Sequence, residues 1–464
     1  MKKIKFFHLA VIIPVSILIT VINPLNLDLN QKILVSALVM TTALWVTEAV
    51  HKTIACIFLL FIFSVFGKTK LYGIVSFAWS DTILLVITTT LLSVGIMKTG
   101  IVHKYAKRIF TGNSFKIFKL LILPYILGIV LVFLIPQAFA RVIIIGAVLN
   151  DLIITANDSE KKAKQAIIFN GFIAVTVTYM FFNSGDIVLN QAAVNFASDL
   201  NPEVKEALNF SGWFKLMALP SIITSCVCFF TVYFIFYKDL KHFSGSMISS
   251  CNTRDKEDSK SKELASFCIM GGIIILWATQ SIHRIPYWIP AGIGVLIMFA
   301  LKSLNFSDLK SVNLHLLLFL ITVFNIGKVL TQAGVTSVIF TSLQTLIPDV
   351  NSSLYLLIIA AVTMIMHICI GSSVATMSVV LPIILPLTVS LGYNPAIITL
   401  ISYIVVNIHF LLPFHHVIAM IGTAKEYYSD KYMLRFGIVM TIITLVLLWA
   451  VYIPWWKFLR VLSL

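Results

Sequence analysis

The chain has 464 residues, of which 59% are hydrophobic and 11% charged, and a mean hydropathy of +0.99. A soluble domain of this size does not carry so much apolar surface, so the excess must face lipid. The formal charge of +15 suggests nucleic acid at first sight, but the basic residues are scattered between apolar runs and read as cytoplasmic loop anchors.

Apolar runs fall near 6–22, 33–50, 53–66, 82–98, 119–135, 139–155, 165–182, 212–237, 265–282, 286–301, 314–333, 353–370, 373–390, 397–412 and 436–454. Most approach the ~20 residues that cross the hydrocarbon core as a helix. The first run follows Met1-Lys2-Lys3 without a small-residue cleavage site behind it, so it reads as a retained helix rather than a signal peptide. The longest polar stretch, 238–263, is charged, Ser-rich and poor in aromatics, which predicts a linker. The six cysteines (56, 226, 228, 251, 268 and 369) have no metal-binding spacing and read as core packing, with no disulfide framework expected.

The two halves of the chain echo one another. Leu44-Trp45-Val46-Thr47-Glu48-Ala49-Val50-His51-Lys52 recurs as Leu276-Trp277-Ala278-Thr279-Gln280-Ser281-Ile282-His283-Arg284, 232 positions later (277 − 45). A weaker echo pairs Ile87-Thr88 and Gly100 with Ile321-Thr322 and Gly334. Charge then supplies orientation. Loop 103–119 carries five Lys/Arg, 156–164 three and 238–263 six, whereas 184–210 carries only Lys205 and 334–352 none. Placing the basic loops in the cytoplasm puts the N-terminus inside and the C-terminus outside, and makes the repeats inverted. The Trp45 helix then runs inward and the Trp277 helix outward. The expected fold is an all-α polytopic protein of the cytoplasmic membrane, with about 11 transmembrane helices plus two re-entrant hairpins. Its parts are an N-terminal repeat, 1–237, with a hairpin near 119–155; a cytoplasmic linker, 238–263; and a C-terminal repeat, 264–464, with a hairpin near 353–390.

Hydroxyls and a glycine interrupt the second hairpin at Gly371-Ser372-Ser373-Val374-Ala375-Thr376. Such a break is tolerated in lipid where the backbone is buried in protein or lines a wet cavity, and half-helix N-termini there can face an anion. Ser372, Ser373 and Thr376 are therefore candidate oxyanion donors, with small-residue helix packing as the other reading. Gln137 can donate similarly at the first tip. Arg141 lies inside a membrane segment, where a charge costs roughly 2.5–3.5 kcal/mol, so it faces either a bound anion or a buried acid such as Asp151. Asn183, Ser184 and Asp186 follow an apolar helix and either line a site or cation path or form an exposed helix end. Glu48, His51, His283, Arg284, His315 and Lys328 read as interfacial or snorkelling side chains. Trp45, Trp277, Trp455 and Trp456 read as interface anchors.

Together these features resemble the divalent anion/sodium symporter family, carriers of citrate, C4-dicarboxylates and sulfate. The local match is Ser372-Ser373-Val374-Ala375-Thr376 followed by Leu381-Pro382, where the family has Ser-Asn-Thr-Ala-Thr and then Leu-Pro. At the first hairpin Pro136-Gln137-Ala138-Phe139-Ala140-Arg141 departs from that motif. The first break keeps Thr176 and Asn183 of the family's pattern but lacks its prolines; the second, Leu412-Pro413-Phe414-His415-His416, keeps only Leu-Pro. The resemblance implies a homodimer with a scaffold part and a mobile transport part working by an elevator-like movement. It also implies two hairpin tips that hold a small anionic substrate with its coupling cations.

On this reading Ser372, Ser373, Thr376, Gln137 and Arg141 contact substrate, and Thr176, Asn183, Asp186, His415 and His416 serve ion coupling. Loss of side-chain oxygens at Phe181, Phe182 and Phe414, together with the arrival of His415 and His416, favours protons over sodium. No other cofactor and no nucleic acid is expected. Three alternatives remain at this stage: a cation/proton antiporter of similar architecture, a membrane-embedded enzyme, and a non-transporting receptor. The enzyme lacks support, since there is no His-Glu-x-x-His pattern, no Gly-rich phosphate loop and no partnered nucleophile.

Overall fold

The computed structural model describes residues 12–18, 21–23, 26–47, 49–99, 116–135, 137–244, 247–248, 260–344, 353–409, 411 and 415–462. Glu48, Pro136, Cys251, Leu412, Pro413, Phe414, most of loop 103–119 and half of 238–263 lie outside these residues.

The described chain is helical, with one isolated β-bridge between Ile153 and Ile248. A helix satisfies every interior backbone group within itself, which hydrocarbon demands. Polar side chains within these helices follow the same rule. The hydroxyls of Thr88, Thr89, Thr90 and Ser93 each donate to a carbonyl one turn back, at 2.6–2.8 Å. The main helices are α1 (Leu29–Thr47), α2 (Lys52–Phe66), α3 (Asp81–Lys98), α4 (Ile117–Leu134), α5 (Ala138–Leu152), α6 (Asp158–Thr178), α7 (Leu189–Ser198), α8 (Phe210–Ile235) and α9 (Lys260–Ala278). They continue as α10 (Trp288–Ala300), α11 (Leu314–Gln332), α12 (Val335–Gln344), α13 (Ser353–Ile370), α14 (Ser373–Ser390), α15 (Pro395–Ile408), α16 (Val417–Ala424) and α17 (Asp430–Leu447). Among the described residues, seven helical stretches are long and apolar enough to cross a membrane, and several shorter apolar helices accompany them.

The element order repeats. Three helices (α1–α3; α9–α11) precede a hairpin (α4–α5; α13–α14), then a long helix that breaks into a short one (α6–α7; α15–α16) and a last span (α8; α17). Packing repeats as well. Helix α2 lies on α11 and α10 on α3, each crossing from one half to the other. Both arms of each hairpin pack on the following long helix, α4 and α5 on α6, α13 and α14 on α15. Helix α7 packs on α14, and α16 on α5, so each short helix touches the hairpin of the opposite half.

Capping fixes where the central helices start. Asn157 accepts from Glu160 N at 2.9 Å, and Asn394 accepts from Ala396 N at 2.9 Å with Pro395 opening the first turn. Every residue of α15 from Ala396 to Ile408 is buried, as is α6 from Ala166 to Thr178. A helix apolar all round and buried all round is a core helix. Helices α4, α8, α13 and α17 instead bury only one side and expose aliphatic and aromatic residues on the other.

Two sequence expectations are corrected by this packing. Trp45, Trp277 and Trp456 are not interface anchors but are buried within the protein. Trp45 packs edge-on against Phe319, while the indole N–H groups of Trp277 and Trp456 donate to Tyr287 O and Leu216 O. The cysteines are not uniformly core residues either: all five described are free thiols, with Cys56 and Cys228 buried but Cys226, Cys268 and Cys369 exposed on outward helix faces.

Candidate functional site

Each hairpin tip is tied to the break of its own half, and the two breaks are bonded to each other. At the second tip, α13 ends in Gly371, whose φ of +69° is the left-handed conformation that glycine adopts without a Cβ penalty. Ser372 is the N-cap of α14, and its side chain makes no capping bond. The first-turn amides of α14 therefore lack a side-chain cap at the tip. Ser373 Oγ lies 3.0 Å from Val406 O, 3.1 Å from His415 O and 3.4 Å from His367 Nε2, which ties the tip to the second break. Thr376 Oγ1 donates to Ser372 O at 2.8 Å within its own helix. The three hydroxyls thus take different roles: Ser373 and Thr376 are engaged by protein, and Ser372 is the one with no bond of this kind.

At the first tip, Gln137 is the N-cap of α5 and donates through Nε2 to Thr90 Oγ1 of α3, linking the hairpin to the neighbouring helix layer. Arg141, one turn further, is fully buried. Its Nη2 donates to Gly185 O in the first break, whereas Nε and Nη1 have no partner. Its electrostatic neighbour is the buried Asp186, not Asp151, which is exposed. Gly185 sits where a side chain has no room, since an added Cβ would lie 2.0 Å from Tyr179 O. Asp186 turns inward and accepts from Val188 N at 3.0 Å. Asn183, Ser184 and Asp186 are all buried, so they are not an exposed helix end.

The breaks join each other through a network that sequence reasoning did not find. The Tyr179 hydroxyl donates to Asn407 Oδ1 and lies 2.9 Å from His416 Nε2; Asn407 Nδ2 donates to Thr176 O at 3.1 Å. Thr176 therefore enters through its carbonyl, while its hydroxyl bonds Ile173 O in its own helix. Asn190 accepts from Tyr403 O–H at 2.8 Å and donates to Tyr179 O and Phe182 O, closing the first break's backbone. Buried amides of this kind in core helices are costly unless paired, and that cost is the sequence signal that would have found Asn190 and Asn407. His415 and His416 are buried too.

A cavity of about 140 Å³ leads from the first break toward α3 and α10; Asn183, Gln191, Lys205 and Arg284 line it, with Asp81 as its one carboxylate. Asp81 is already engaged by the indole N–H of Trp288 at 3.0 Å. The cavity is thus rich in amides and has two cations for one acid.

The family described as sodium:sulfate symporter transmembrane region matches the chain over residues 2–462. No curated protein gives a significant match to the sequence. Among solved structures, the chain is similar to the Alcanivorax borkumensis YdaH transporter, whose crystal structure is described as having an unusual topology. The two are 13% identical, with a TM-score of 0.54, over 84% of this chain and 89% of that one. At that identity the likeness concerns the fold alone.

Proposed function

We propose, from the premise that this chain belongs to the sodium:sulfate symporter family, a secondary active transporter that moves small dianions or trianions such as C4-dicarboxylates, citrate or sulfate. Arg141 carries the reading: a fully buried guanidinium beside the first hairpin tip, with two nitrogens that have no protein partner. Arginine's planar fork matches carboxylate and sulfate geometry, and a buried fork with unpaired N–H groups invites an anion. The proposed anion lies between Arg141 and the α14 N-terminus, where Ser372 and the uncapped amides add donors. The basic, amide-rich cavity beside Asn183 is its route in.

The hairpins and breaks form the moving part of this proposal, and α1–α3 with α9–α11 form the scaffold of an elevator-like homodimer in the cytoplasmic membrane, with the N-terminus inside. The family description names sodium; in this chain imidazoles stand where its pattern places oxygen ligands, so the coupling cation is sodium or the proton. Thr176, Asn183, Asp186, His415 and His416 are its candidate contacts.

The test is uptake of labelled succinate, citrate and sulfate into proteoliposomes under an imposed sodium gradient and, separately, a proton gradient. Accumulation of one of these anions driven by either gradient is expected. Absence of gradient-driven uptake of all three by folded, reconstituted protein would overturn the reading.

A further inference from the structure

Three histidines meet behind the second hairpin tip. His367 stands one turn before the tip on α13, His409 caps the end of α15, and His415 lies in the break that follows. All three are buried, and one ring nitrogen from each falls within 4.8 Å of those of the other two. The rings lie 4.7–5.9 Å apart between centroids, so they surround a point rather than stacking in a column.

The hydrogen bonding of two of the rings is that of ligands. His409 Nε2 is held at 3.1 Å by Thr441 Oγ1, and His367 Nε2 has Ser373 Oγ at 3.4 Å, while the Nδ1 atoms of both rings are buried without a partner. A metal-ligating imidazole has this form: one nitrogen is oriented by a neighbouring polar group and the other is left for the cation. Buried ring nitrogens without partners call for an explanation. Among the described residues the cluster consists of histidines alone, with no carboxylate in it, so it suits the neutral rings that bind metal.

We propose that His367, His409 and His415 form a binding site for a first-row divalent cation, zinc being the best match. Imidazole ligands select Zn²⁺, Cu²⁺ or Ni²⁺ over Mg²⁺ and Ca²⁺, which take oxygen. Tetrahedral zinc with Zn–N near 2.0–2.1 Å sets its ligand nitrogens roughly 3.4 Å apart, so side-chain adjustments on the order of 1 Å close the cluster onto the ion. Three protein ligands leave a fourth position for water. Because the ligands come from the hairpin, the core helix and the break, a bound ion ties the second tip to the second break and holds it against movement. This site shares His415 with the proposed coupling contacts and borders Ser373 of the second tip, but it does not use Arg141 and stands or falls independently of the anion reading.

The experiment uses the full chain, purified in detergent and treated with chelator, then titrated with Co²⁺ as a spectroscopic probe and with Zn²⁺ as competitor. Exposed His51 and His315, whose rings also touch at 5.1 Å, are removed by H51A and H315A to suppress surface binding. One Co²⁺ per chain with a tetrahedral visible spectrum, displaced by Zn²⁺, is expected. His367→Ala, His409→Ala and His415→Ala should each weaken binding about a hundredfold or more, since loss of even an outer-shell partner costs 10–100-fold. Absence of Co²⁺ and Zn²⁺ binding, or binding that the three substitutions leave unchanged, overturns the proposal. Where a variant fails to fold, X-ray absorption on the zinc-loaded H51A/H315A protein decides: three imidazole ligands support the site, and two or fewer overturn it.

Discussion

Replacing Arg141 is the sharpest test of the anion site. Its Nε and Nη1 are buried without protein partners, and its Nη2 holds Gly185 O. If an oxyanion takes the two unpartnered nitrogens, each charge-assisted bond contributes about 1.5–3 kcal/mol. Losing both in Arg141→Gln removes about 3–6 kcal/mol, which at 1.4 kcal/mol per decade is a loss of roughly 10²- to 10⁴-fold in affinity. Arg141→Lys keeps the charge but loses the fork, and should fall between, about 10- to 100-fold, if one bond is lost. The assay is isothermal titration of succinate, citrate and sulfate into detergent-purified protein, checked by anion-dependent thermal stabilisation, which follows mass action. Both substitutions also weaken the hold on Gly185 O, so monodispersity and apo thermal unfolding are measured alongside. Should Arg141→Gln bind the anion within threefold of the parent while remaining folded, Arg141 is only the structural partner of Asp186. In that case the Arg141→Gln/Asp186→Asn double variant should recover stability without any change in affinity.

Further outcomes follow from the same geometry. Tyr179→Phe keeps the ring but leaves Asn407 Oδ1 without its donor, which should destabilise the protein by about 1–3 kcal/mol in a denaturant titration. Gly371→Ala forces a side chain into a left-handed residue, costing about 1–2 kcal/mol, and should loosen the second tip as read by local hydrogen exchange. Combined alanine replacement of Ser372, Ser373 and Thr376 should weaken anion binding by about 1–3 kcal/mol, with Thr376 contributing least because its hydroxyl bonds its own helix; transport equal to the parent's would make these residues packing only. An impermeant maleimide added outside intact cells should leave Cys251 unlabelled if the 238–263 linker is cytoplasmic; ready labelling would invert the orientation.

What the sequence determined by itself is what local patterning controls. Hydropathy placed apolar runs near 119–135 and 139–155, and helices form there as Ile117–Leu134 and Ala138–Leu152. The polar interruption at Gly371–Ser372 is the turn between α13 and α14, where non-helical backbone has to be buried in protein or line a wet cavity rather than face lipid. Asn157 and Asn394 mark helix starts by a bond made within one turn. The element order, and with it the family resemblance, was legible for the same reason. Tertiary structure alone decided which distant groups meet. Tyr179 and Asn407 belong to different halves of the chain, and no periodicity links them; they meet where the short helix after each break packs on the other half's hairpin. His367, His409 and His415 converge from three elements, whereas the sequence singled out only His415 and its neighbour His416. The tryptophans show the same limit from the other side. An indole near a helix end suits an interface, but the positions of Phe319 and the Tyr287 carbonyl bury Trp45 and Trp277 instead. Hydropathy records how apolar a segment is; which face it turns to lipid and which to protein is settled only when the helices pack.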